Sequence, residues 1–199
     1  MKLSRKIELA VIIGVIFSVV LNIAAFAVTC ENVRQEVLRL HVIAASDSYE
    51  DQQLKLKVRD AVLQAGADAF DGSVNVENAV ERLTPQIDNL ELVAKETVRE
   101  NGFDYDVKVT LSKEFFATRT YENVTLPAGK YLAVRVVIDK GEGQNWWCVM
   151  FPSLCLPAAR VKTELDDVLN EKEVQLVSRN PKYEPRFKIV EIIEKYFKY

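Results

Sequence analysis

Histidine is almost missing from this chain: His41 is the only one among 199 residues, beside three cysteines, two tryptophans and seven glycines. A zinc centre draws on three or four His, Cys or carboxylate ligands, and the cysteines show no paired CxxC spacing, so no metal site is expected. The glycines are scattered and build no phosphate-cradling loop, so no cofactor is expected either. Three cysteines are too few for a disulfide scaffold. An excess of basic charge is also lacking, with 26 Lys and Arg against 29 Asp and Glu. Three of those bases, Lys2, Arg5 and Lys6, sit in the first six residues, which leaves the remainder more acidic still. Such a surface has no electrostatic footprint for nucleic acid and no pull toward anionic headgroups. Proteins are the expected partners. Nothing resembling an internal repeat or a low-complexity segment is present.

The chain does contain one long apolar run. Leu9 to Val28 is interrupted only by Gly14, Ser18 and Asn22, and at ~1.5 Å per residue it is about 30 Å long, enough to cross a bilayer. Behind a basic head this is either a secretory signal, with Ala25-Phe26-Ala27 as the peptidase site, or a retained anchor. Either way the remainder is exported, because positive charge holds the N-terminus in the cytoplasm. The domain organisation follows: residues 1–30 as signal peptide or signal anchor, residues 31–199 as one exported domain. Cys30 makes a poor lipoprotein acceptor, since Thr29 stands where a small Ala, Gly or Ser is expected.

Within that domain, Glu36 to Ala45 alternates and then runs apolar, as a buried strand does. Ser46-Asp47-Ser48 offers helix-capping oxygens, and Leu54, Val58, Ala61, Ala65 and Ala69 carry a helical stripe to Phe70. A second helical pattern holds Val76, Val80 and Leu83, restarts at Thr84-Pro85 and ends at Asn101-Gly102. Tyr105 to Ser112 alternates as a strand with one wet face. Tyr131 to Ile138 and Asn145 to Phe151 read as two more strands, joined through Gly141-Glu142-Gly143. Pro185 leads into a last helix with Ile189, Ile192, Ile193 and Tyr196 on one face. The order predicts a two-layer α+β domain, a mixed or antiparallel sheet of about four strands with helices on one face, behind a membrane-spanning or signal helix.

No catalytic constellation stands out. Asp71-Gly72-Ser73 is a turn, and Ser112 and Lys113 point to opposite faces of a strand. His41 is open to three readings: a strand histidine with satisfied hydrogen bonds, a recognition residue, or a catalytic partner for Cys148. The enzyme alternative is thus an exported hydrolase using His41 and Cys148 or carboxylates, and a passive envelope scaffold is a third. Two segments carry the candidate partner-binding residues. One is the strand-to-helix corner with His41 and Asp47, followed by Asp51, Lys55 and Arg59 as a charged ladder on one helix face. The other is Asn145-Trp146-Trp147-Cys148 through Cys155, where adjacent tryptophans on a strand face opposite ways and an exposed one would anchor a partner. Cys148 and Cys155, with six residues between them, could close a disulfide or remain two buried thiols.

LRLHVIAASDSYEDQQLKLKVRDAVL (38–63) and LPAGKYLAVRVVIDKGEGQNWWCVMFPSLC (126–155) resemble the stage II sporulation protein R family of endospore-forming bacteria. One departure is Ala45, where the family's HVIANSD pattern has Asn. The resemblance implies a sporulation signalling protein rather than an enzyme, made in the forespore and exported into the intermembrane space. There it would activate a membrane-embedded aspartic protease of the mother cell, which processes a sigma factor precursor.

Overall fold

A computed structural model describes residues 2–70, 72–121, 124–152, 154, 168–178, 187–188 and 192. The apolar run lies within one unbroken helix, α1 (Lys2–Gln35), long and apolar enough to cross a membrane and almost unburied along that stretch. Only Glu36 and Val37 separate it from the first strand, β1 (Leu38–Ile43). The chain then forms α2 (Tyr49–Phe70), α3 (Val76–Leu83) and α4 (Ile87–Glu100), with a short 3-10 turn at Thr84–Gln86 where Pro85 restarts the helix. Strands β2 (Val107–Phe116), β3 (Arg119–Tyr121), β4 (Val124–Leu126), β5 (Gly129–Ile138) and β6 (Asn145–Phe151) follow, then a short helix α5 (Glu171–Val177).

Four strands make one sheet in the order β2-β5-β1-β6, and β3 and β4 pair as a separate hairpin. β1 runs parallel to β5 and antiparallel to β6, while β2 is antiparallel to β5. The sheet is mixed because the helical crossover returns the chain to an edge before β5 enters beside β1. The predicted fold class holds, and the four strands lie where alternation placed them. The sequence reading did not include the β3–β4 hairpin or α5. The helix expected after Pro185 lies mostly outside the described residues.

Alternation along the strands sorts side chains into two cores. Leu38, Leu40 and Val42 of β1, Val134, Val136 and Ile138 of β5, and Cys148 and Met150 of β6 meet the stripes of α2, α3 and α4. On α4 these are Leu90, Ala94 and Val98, four residues apart and fully buried; burying each such Leu or Val contributes ~1.5–3 kcal/mol. The opposite face holds a second, smaller core at one end. Cys30 and Val33 of α1 pack there with Phe116, Tyr131, Ala133, Val149, and Leu176 and Val177 of α5. The expected domain boundary at residue 30 therefore falls inside a helix whose last turns belong to the domain's interior.

Candidate functional site

The strand-to-helix corner is a braid of two loops. Ala44 and Ala45 accept backbone hydrogen bonds from Gly143 and Glu142, and Ala44 donates to Gln144. Asp47 Oδ1 accepts from the Gln144 backbone N–H at 2.8 Å. Ser48 Oγ caps α2 by accepting from the Asp51 N–H, as the capping residues predict. A side chain at Gly143 would run into the Ser46 backbone carbonyl, which is why glycine sits there. Ala45 buries its methyl in the helix-side core, so the family's usual Asn position serves packing in this chain.

The charged residues after the corner do not form the expected exposed ladder. Asp51 is 4% and Lys55 5% exposed. Asp51 accepts from Ser46 Oγ at 2.5 Å, and Lys55 donates to Gln52 Oε1 and to the Gln144 carbonyl. Burial pulls the Lys55 ammonium below its ordinary pKa. Arg59 pairs with its neighbour Asp60 and lies 4.4 Å over the Trp146 ring. The ladder fails because the helix turns this face toward the loop 139–144, where the Gln144 carbonyl takes the lysine.

His41 leaves the corner altogether. It points to the other face of the sheet, where Nδ1 meets Glu114 Oε2 at 2.5 Å and Nε2 meets Asn145 Oδ1 at 2.7 Å. Its ring stacks on Trp147, with Phe116 edge-on to both. Glu114 Oε1 also accepts from Arg135 Nε at 3.1 Å and from Ser112 Oγ at 3.3 Å. One carboxylate thus gathers three donors from β1, β2 and β5, above Ala133, whose small side chain leaves the space. The two tryptophans do face opposite ways, Trp146 to the helix-side core and Trp147 to His41, and both are half-buried.

Further along the same face, Arg39 is fully buried. Its Nε donates to the Cys148 carbonyl and Nη2 to the Tyr121 hydroxyl at 2.5 Å. The guanidinium lies over Phe116, Tyr121 and Tyr131, at 4.2, 5.4 and 5.0 Å from the ring centroids. Burial lowers its pKa and raises those of both tyrosines. Sequence reasoning missed Arg39, Glu114 and Arg135.

The catalytic pairing of His41 with Cys148 does not exist here. Cys148 is disulfide-bonded and packs in the helix-side core, across the sheet from His41. Cys155 lies outside the described residues, and Cys30 is a free, buried thiol. Among the described residues no three His, Cys, Asp or Glu side chains group as metal ligands. What the arrangement provides is a rigid, hydrogen-bonded surface on either side of β1.

The family model for stage II sporulation protein R matches residues 34–161. The chain belongs to the stage II sporulation protein R family. It is 34% identical over 146 residues to stage II sporulation protein R of Bacillus subtilis (strain 168), an alignment covering 71% of this chain and 65% of that relative. The chain therefore aligns with just under two thirds of the relative's length. No solved structure matches it. The region matched to stage II sporulation protein R starts at Arg34, in the last turn of α1, and takes in all six strands, the corner and the Glu114 cluster.

Proposed function

We propose that this domain is an exported sporulation signal that activates a membrane-embedded aspartic protease of the mother cell, leading to processing of a sigma factor precursor. The observation that carries the reading is the family match, which spans the sheet, the corner and the histidine cluster together. The apolar helix ahead of the domain supports export; the forespore as its source and the intermembrane space as its destination belong to the family reading. A signal of this kind acts by binding the protease's active state more tightly than its inactive state; equal affinity for both would shift nothing.

The contact surface in this reading is the end of the domain away from α1. β1 carries the chain about 20 Å from α1's end to the corner, at ~3.3 Å per residue. There Asp47 and Tyr49 are exposed and Arg59 is half-buried beside Trp146. Asp51 and Lys55 hold that surface in shape from beneath, while His41 and Trp147 stack on the opposite face of the sheet. Co-expression of the chain with the candidate protease and its substrate, scoring substrate processing, tests the function. Processing that requires the chain supports it; processing unchanged by deletion of the domain refutes it.

A further inference from the structure

We infer that the open half of the sheet face opposite the helices docks an acidic, extended segment of a partner protein, with the Arg135 guanidinium receiving a carboxylate. Toward the second core this face is closed, because Phe116, Tyr131, Ala133 and Val149 pack there. Toward the corner the same face is open. Strand register puts Thr110, Arg135, Trp147 and Asn145 on it beside His41; the first three are half-buried and Asn145 is exposed.

The chemistry of that open half is one-sided. A row of polar contacts crosses all four strands: Arg135 Nε to Glu114 Oε1, Glu114 Oε2 to His41 Nδ1, and His41 Nε2 to Asn145 Oδ1. Ser112 Oγ also donates to Glu114. The acceptors are thus consumed inside the row, and the groups left over are donors. Arg135, with 42% of its side chain exposed, pairs through Nε alone. Its two Nη groups make no hydrogen bond among the described residues and are not buried. Asn145 turns its oxygen to the imidazole, which leaves Nδ2 to donate outward. A guanidinium fork held in place at Nε fits a carboxylate, which accepts two parallel N–H bonds from it.

The length of the row points to an extended segment. Arg135 and Asn145 stand two strands apart, ~10 Å at ~4.8 Å per strand, which an extended chain covers in about three residues. A second copy of this chain does not fit. The one acid in the row, Glu114, is already engaged, so two such faces would bring Arg135 against Arg135. Anionic headgroups do not fit either, because the acidic excess of the chain repels a charged membrane. This surface lies across the sheet from Arg59 and Trp146, and the inference does not rest on the proposed function.

The test uses the full chain in detergent micelles and a short fluorescein-labelled peptide with glutamate at alternate positions, read by anisotropy at low salt. The expected result is binding that weakens as salt rises and that is lost when glutamine replaces glutamate in the peptide. Arg135→Gln should weaken it by about fivefold or more, the worth of one half-exposed ion pair. Lys113→Gln, on the same strand β2 but the helix-facing side, should leave it unchanged. Should Arg135→Gln not fold, Arg135→Lys carries the test, since it keeps the charge beside Glu114 and loses the fork. No binding of the glutamate peptide, equal binding of the glutamine peptide, or equal losses from Arg135→Gln and Lys113→Gln would each overturn the inference. So would an Arg135-dependent dimer in sedimentation, or Arg135-dependent binding to phosphatidylglycerol vesicles without binding to the peptide. None of these readouts involves a protease, so this inference and the proposed function fail separately.

Discussion

His41 lies flat against Trp147, ring centroids 3.7 Å apart and planes 17° from parallel, while both of its ring nitrogens face oxygens of Glu114 and Asn145. Those contacts come from strands on either side of β1, so the ring ties β2 to β6 across the middle of the sheet. Replacing His41 by Ala leaves the Glu114 oxygen without one donor and opens the Trp147 face. We expect a loss of ~2–4 kcal/mol, from a buried group left unsatisfied plus the lost stacking. Urea unfolding followed by tryptophan fluorescence measures it, and an unchanged midpoint would show that the stack contributes nothing.

Asp51 and Arg59 should separate cleanly. Asp51→Lys buries a second cation beside Lys55 where Ser46 Oγ needs an acceptor, and we expect a loss of more than ~3 kcal/mol or failure to fold. Arg59→Glu disrupts a surface pair with Asp60 and the contact with Trp146, at ~1 kcal/mol or less. If Arg59→Glu abolishes substrate processing while thermal unfolding is nearly unchanged, the corner is the contact surface. Normal processing by that folded variant refutes its part in contact.

Gly143→Ala puts a methyl group against the Ser46 backbone carbonyl. Backbone, unlike a side-chain tip, cannot swing aside, so the two loops must separate. We expect a loss of ~1–3 kcal/mol, the range for overpacking. Calorimetry on the single variant decides it, with Gly14→Ala, which meets nothing, as the control.

Glu91 supplies a pH dependence. Its carboxylate accepts the Val109 N–H at 3.0 Å, which closes an outward backbone donor on edge strand β2, and it pairs with Lys95 and Lys108. The backbone hydrogen bond first, then the lysines, hold its pKa at about 2 against an ordinary 4.5. A depressed folded value means the stabilisation is complete above the unfolded value and fades as pH falls through the folded one. Thermal midpoints should therefore drop between about pH 4.5 and 2, and Glu91→Gln should flatten that part of the profile. Parallel profiles for both proteins would remove Glu91 from the account.

The strands and long helices were legible because their signal is local: period two in β2, helical recurrence of Leu54, Val58, Ala61, Ala65 and Ala69 in α2. The hairpin β3–β4 has three residues in each strand, too few for alternation to register. The polar cluster was illegible for a different reason. His41 meets Glu114 across 73 residues of chain and Asn145 across 104, a pairing that only strand order and register decide. Arg39 reads in sequence as a charge on a wet face; it is buried because aromatic rings from β2, β3 and β5 close over it. Asp51 and Lys55 do fall on one face of α2, as their spacing says. That spacing carried no information about the loop covering them.

Two residues, Glu36 and Val37, join α1 to β1. A flexible linker would let a tethered domain wander over a radius that grows as the square root of its length, about 5–6 Å × √n for n residues; here there is no leash to pay out. The direction of α1 therefore sets the direction of β1, and with it the placing of the corner at the far end of that strand. Inserting a flexible segment between Gln35 and Leu38 would uncouple helix from sheet without altering a single residue of the corner.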